Sequence, residues 1–129
     1  MRVLLVDDHP VVRQTLRMLL EREHDIEVVG EASNGRQGVE LTRQLRPDVV
    51  LMDLRMPEMD GIAATRILHA EIPDLCVIGL SMFDHDKEAE AMGDAGAMDY
   101  VSKSITTDQL LAVLRGCYAH RQEPMPPDG

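Results

Sequence analysis

The chain has 129 residues, enough for one domain around a single core, and its 44% hydrophobic content is ordinary for a globular protein. Aromatics are scarce (Phe83, Tyr100 and Tyr118, with no Trp), so the core must be built from Val, Leu, Ile, Ala and Met. A formal charge of −10 argues against this segment binding nucleic acid itself, which needs a basic face, and suits solubility and the binding of a metal ion.

Strands and helices alternate along the chain. Val3 to Val6 is a continuous apolar run, as expected of a strand buried on both faces, and Asp7 and Asp8 close it. Pro10 stands where a first helical turn tolerates it, and Val12, Leu16, Leu19 and Leu20 share one helical face. Ile26 to Val29 reads as strand two. Ser33-Asn34-Gly35 is a turn and cap signal, and the helix after it runs to about Arg46, where Pro47 stops it. Val49 to Met52 is strand three, closed by Asp53. Pro57 and Gly61 bracket a loop before a helix carrying Ile62, Ile67 and Leu68. Leu75 to Leu80 is strand four, followed by Ser81. Asp84 or Asp86 can cap the next helix, which ends near Gly93 to Gly96. Met98 to Val101 is a short strand five, and Lys103 follows it. Thr106 or Thr107 caps the last helix, where Leu110, Leu111, Leu114, Cys117 and Tyr118 share a face.

Five βα units in a row imply one α/β domain: a doubly wound, flavodoxin-like (βα)5 fold with a parallel sheet of order 2-1-3-4-5. The domain is expected over residues 1–121, with 122–129 as a Pro-rich tail or linker. Cys76 and Cys117 lie far apart in sequence and form no CxxC pair. They read as buried small hydrophobes, and a reduced, cytoplasmic setting is the simpler reading. No signal peptide precedes the first strand, and no apolar run reaches membrane-spanning length.

In such sheets ligands bind beyond the carboxyl ends of the strands, at the switch in strand order. Asp7, Asp8, Asp53, Ser81 and Lys103 would all arrive there. Packed carboxylates are costly without a cation, so the cluster points to a divalent metal. Asp8 and Asp53 could supply ligands to Mg²⁺, or to Mn²⁺ in its place, with a nearby backbone carbonyl as a third. A carboxylate beside such a metal can act as a nucleophile and form an aspartyl phosphate. Lys103 and Ser81 would then hold phosphoryl oxygens. Each residue also has a blander reading. An Asp-Asp pair alone is usually a solvated turn or cap, Lys103 alone a surface lysine, and Ser81 a turn cap. His9 reads as a loop residue near the site, and Asp84-His85-Asp86 as a solvated helix start.

The segments LLVDDHPVVR, DVVLMDLRMPEMDGIAATR, LSMFD and YVSKSIT, in that order and spacing, resemble the receiver domain of two-component response regulators. The resemblance covers roughly Met1 to Tyr118, and the DDHP and SMFD segments look like the NarL-type subfamily. It implies Asp53 as phosphoacceptor, Asp7 and Asp8 as the acidic pair with Asp8 the direct ligand, and the backbone carbonyl of Arg55 as a further ligand. It implies Ser81 and Tyr100 as the switch residues, remodelling the face of the fourth helix, fifth strand and fifth helix. The implied partners are a histidine kinase or phosphotransfer protein, an effector domain or downstream protein, and a second copy of the chain on phosphorylation. The implied output is transcription regulation by a domain outside this segment. Such a protein accepts phosphate and is not an enzyme in the usual sense, beyond its own phosphorylation and dephosphorylation. The chain departs from the common pattern at Ser104, where many members have proline, and at Met82, where small residues are frequent. A cis bond before Ser104 remains open, and Met82 narrows access to Asp53. Arg55 and Phe83 would tune phosphate lifetime.

Two other functions fit parts of the pattern. A Mg²⁺-dependent phosphohydrolase of the haloacid dehalogenase type also uses a strand-end Asp, but usually has a second Asp two residues on, where this chain has Arg55. A phosphate-independent interaction module would need none of these groups.

Overall fold

In the computed structural model the backbone is described for residues 1–81 and 86–122, and side chains for all of these except 86–88 and 121–122. Among the described residues, strands β1 (Arg2–Val6), β2 (Glu27–Ala32), β3 (Val49–Asp53), β4 (Cys76–Ser81) and β5 (Asp99–Ser102) alternate with five helices. The helices are α1 (Pro10–Glu21), α2 (Gly35–Leu45), α3 (Gly61–Glu71), α4 (Asp86–Ala95) and α5 (Thr107–Gln122). Every strand pair is parallel and the order is β2-β1-β3-β4-β5, as the alternation of elements implies.

The continuous apolar runs are explained by burial on both faces. Val3, Leu5, Val49, Leu51 and Ile78 point to one side, where Leu20 of α1 and Leu110, Leu111 and Leu114 of α5 cover them. Leu4, Val6, Val50, Met52 and Val77 point to the other, against Val39 of α2, Ala64 and Leu68 of α3, and Met92 of α4. The central strand β3 is buried at all five positions, so it carries Asp53 on the most constrained element of the sheet.

Local signals set the helix ends. The Asn34 side chain accepts from Gln37 N at 2.8 Å and starts α2, and Arg46 ends it in the left-handed region at φ 49°. The Asp60 carboxylate accepts from Ala63 N at 2.8 Å and starts α3. Thr106, rather than Thr107, caps α5: its hydroxyl accepts from Gln109 N while Gln109 Oε1 accepts from Thr106 N, a reciprocal capping box.

Three expectations are adjusted. β2 runs on through Gly30, Glu31 and Ala32, beyond the anticipated end at Val29. Gly30 allows Leu45 and Leu4 to pack where a Cβ would stand, and Arg13 and Arg17 pair with Glu31. Gln122, expected in the tail, is the last residue of α5, while the rest of the tail lies outside the described residues. Cys76 and Cys117 are both buried as anticipated, but they are joined in a disulfide from β4 to α5, with Cα atoms 6.2 Å apart, which overturns the reading of two reduced thiols. Their 41-residue separation concealed that pairing, which only the packing of α5 over β4 creates.

Candidate functional site

The parallel register brings the sequence-predicted residues to one edge of the sheet. β1 ends at Val6, and the amide of Asp7 still bonds to Ala32 O of β2 at 3.0 Å, so Asp7 is held in line with the sheet. Asp53 is the last residue of β3, opposite Leu80 of β4. Ser81 is the last of β4, opposite Ser102. The next amide, Lys103 N, donates to Ser81 O at 2.7 Å, which extends the ladder and turns Lys103 inward. The loop after Asp53 is closed by Gly61 N donating to Leu54 O at 2.8 Å. A Cβ at Gly61 would stand 2.1 Å from Asp53 O, so only glycine permits this approach. Gly61 therefore shapes the loop, as its residue type suggests, and within the loop Pro57 O accepts from Met59 N at 2.8 Å.

Lys103 is the positive centre of the cluster. Its Nζ lies 2.8 Å from Asp7 Oδ2 and 3.2 Å from Asp53 Oδ1, with the lysine side chain only 7% exposed. The ammonium has no aligned hydrogen bond, so these contacts act as ion pairs. Asp7 has its other oxygen occupied as well, since Oδ1 accepts from the His9 amide at 2.8 Å and lies 2.9 Å from His9 Nδ1. Burial works to raise the Asp7 pKa, but the Lys103 ammonium and the His9 contacts outweigh it and hold the carboxyl below its ordinary value. Asp53 goes the other way: burial first, then the charge of Asp7, lift it from 3.8 to about 7 against the pull of Lys103.

One lysine cannot satisfy three carboxylates. Asp8 Oδ1 and Asp53 Oδ2 are buried without a hydrogen-bond partner. Donor atoms of Asp7, Asp8, His9 and Asp53 all lie within 4.8 Å of one another. Orphaned carboxylate oxygens of this kind match the oxygen donors a hard divalent cation takes. With Asp7 engaged by Lys103 and His9, Asp8 and Asp53 are the carboxylates left to hold one.

The remaining anticipated residues fall around this centre. Ser81 is buried at the strand end. Tyr100 is half-buried on β5, its ring packed where a Cβ of Gly79 would lie, 2.8 Å from Cδ2. Arg55 is exposed, two residues beyond Asp53. The Lys103–Ser104 peptide is trans. Met82, Phe83, Asp84 and His85 lie outside the described residues, as does the side chain of Asp86.

His9 is the residue that sequence reasoning undervalued. It occupies the N-cap of α1, yet its side chain makes no capping bond and turns toward the carboxylates. Its place directly after Asp7-Asp8 was the available signal.

The model of the response regulator receiver domain matches residues 3–115. The transcriptional regulatory protein LiaR of Bacillus subtilis is 44% identical over 123 residues, which are 95% of this chain and 57% of LiaR. The response regulator protein VraR of Staphylococcus aureus is 38% identical over 114 residues, 88% of this chain and 54% of VraR. The chain thus spans about half the length of these curated relatives. Among solved structures, a LuxR-family two-component response regulator from Aurantimonas superposes with a TM-score of 0.88 at 36% identity, covering 98% of this chain and 90% of that one. The signal receiver domain of the putative response regulator NarL from Mycobacterium tuberculosis superposes at 0.86 with 30% identity, covering 92% and 95% respectively.

Proposed function

Since the chain belongs to the response regulator receiver domain family, we propose that it receives a phosphoryl group from a phosphohistidine onto Asp53 and thereby changes which partner it favours. The observation that carries this reading is the buried Asp53 carboxylate, with one oxygen 3.2 Å from Lys103 Nζ and the other without a hydrogen-bond partner.

Asp53 would attack phosphorus as the ionised carboxylate; the P–N bond of the donor breaks, and its imidazole leaves with the bonding pair and takes up a proton. Lys103 holds one phosphoryl oxygen by charge, and the Ser81 hydroxyl donates to another. Asp8, Asp53 and the Arg55 backbone carbonyl would hold Mg²⁺, or Mn²⁺ in its place, and the bound ion supplies neutralisation of the charge on the transferring group. Asp7 positions Lys103 and does not ligate directly. Movement of Ser81 toward the phosphoryl group lets the Tyr100 ring move, and this remodels the surface of α4, β5 and α5.

The curated relatives are transcriptional and response regulators of which this chain spans about half the length. The output we infer is accordingly transcription regulation, through an effector domain joined beyond residues 122–129 or through a downstream protein. We place the protein in the cytoplasm beside its histidine kinase or phosphotransfer partner; no described helix is long and apolar enough to cross a membrane. Phosphorylation would favour a homodimer. Incubation with Mg²⁺ and a small acyl-phosphate donor, read by intact mass, should add one phosphoryl group to the wild type and none to Asp53→Asn. Equal labelling of both proteins would refute the assignment.

A further inference from the structure

His9 is placed as no capping or surface residue needs to be. It is the N-cap of α1 in extended conformation, before Pro10 at the first helical position, but its ring leaves the helix amides alone. Nδ1 instead lies 2.9 Å from Asp7 Oδ1, 3.1 Å from Asp8 Oδ1 and 3.9 Å from Asp53 Oδ2. The last two oxygens are the buried ones without a hydrogen-bond partner, and the Asp53 side chain is only 6% exposed.

These separations have a meaning for coordination. In an octahedron with ligands at about 2.1 Å, neighbouring donors stand about 3.0 Å apart and opposite donors about 4.2 Å apart. The Nδ1 to Asp8 spacing matches the first, and the Nδ1 to Asp53 spacing falls between the two. Asp8 Oδ1 thus stands at the spacing of a neighbouring donor, and Asp53 Oδ2 is a few tenths of an ångström short of that of an opposite one.

We propose that His9 Nδ1 is a direct ligand of the cation held by Asp8 and Asp53, which makes the site favour first-row transition ions over Mg²⁺, with Mn²⁺, the weakest binder of that row, as the paramagnetic probe. The inference rests on the metal site of the function proposed above and adds to it a nitrogen ligand and a selectivity. Mg²⁺ takes oxygen ligands and keeps its waters, so an imidazole adds little for it. First-row transition ions accept imidazole readily, and their affinity for nitrogen-containing sites exceeds that of the hard ions.

The test uses the whole chain, loaded with MnCl₂ alone. Electron paramagnetic resonance of free Mn²⁺ gives the affinity, and pulsed measurements on the bound ion report nitrogen coupling. The wild type should show ¹⁴N coupling from one imidazole. His9→Ala should lose it and bind Mn²⁺ about tenfold more weakly, while its Mg²⁺ affinity by calorimetry stays within about twofold. The His9 ring is 54% exposed, so the variant is expected to fold, and circular dichroism checks this. Tight Mn²⁺ binding without ¹⁴N coupling would overturn the ligand role and leave the carboxylate site standing. So would a variant that binds Mn²⁺ as tightly as the wild type or more so, because His9 would then be a plug. Failure of both proteins to bind either ion would overturn the metal site itself.

Discussion

Removing one charge from the site should make the metal-free protein more stable. Asp53 sits in the sheet with its pKa lifted from 3.8 to about 7, by burial first and then by Asp7. Between those two values the folded chain keeps a proton that the unfolded chain has lost, so stability falls as pH rises through that window. Above about 7 the penalty is complete. At about 1.4 kcal/mol per tenfold change, a rise from 3.8 to about 7 corresponds to about 4 kcal/mol as a ceiling. Asp53→Asn removes this penalty while keeping the side chain's shape. It also takes one carboxylate from Lys103, but Asp7 remains 2.8 Å away to compensate the ammonium. The net gain should be roughly 2–4 kcal/mol, an upward shift in Tm on the order of 10 °C at pH 8. The assay is thermal unfolding followed by circular dichroism, in chelator, from pH 4.5 to 8.5. The difference between variant and wild type should be largest at pH 8 and shrink steadily toward pH 4.5. A divalent ion should narrow it at pH 8 by stabilising only the wild type. A variant no more stable than wild type at pH 8, or a difference that does not change with pH, would refute the view that burial strains this carboxylate.

Lys103→Met should slow labelling of Asp53 by a small acyl-phosphate donor about 100-fold, because the charge facing the phosphoryl group is lost; time-resolved intact mass measures it. Gly61→Ala should destabilise the fold by about 1–3 kcal/mol, since its Cβ would meet the Asp53 carbonyl at 2.1 Å, and urea unfolding reads the cost. Reduction of the Cys76–Cys117 disulfide should cost about 4 kcal/mol by releasing a loop of 41 residues in the unfolded chain, measurable as a drop in Tm with dithiothreitol that Cys117→Ala does not show.

The sheet could be read from the sequence because β1, β3 and β4 announce themselves as apolar runs closed by Asp or Ser, while β2 and β5, which carry charged residues, follow from the alternation of strands with helices. Once the strands are ordered, the positions of Asp7, Asp53, Ser81 and Lys103 follow from where each run stops. What could not be read depends on contacts between distant residues. Glu31 looks like a loop residue until Arg13 and Arg17 stand beside it. Cys76 and Cys117 look like two unrelated small hydrophobes until α5 lies across β4. His9 looks like a loop residue near the site, and only the convergence of Asp8 with Asp53 shows what its ring faces. The unequal fates of Asp7 and Asp53 were equally hidden, because adjacency in sequence says nothing of which carboxylate Lys103 and the His9 amide will hold.

The account stands or falls on covalent capture of phosphate by Asp53. Transfer from a phosphorylated histidine-containing donor, followed at once by borohydride reduction, converts an aspartyl phosphate into homoserine, which peptide mass spectrometry locates. Homoserine at position 53 alone is the expected result, absent from Asp53→Asn. Homoserine elsewhere, or no conversion with a donor that labels a known receiver, would contradict it.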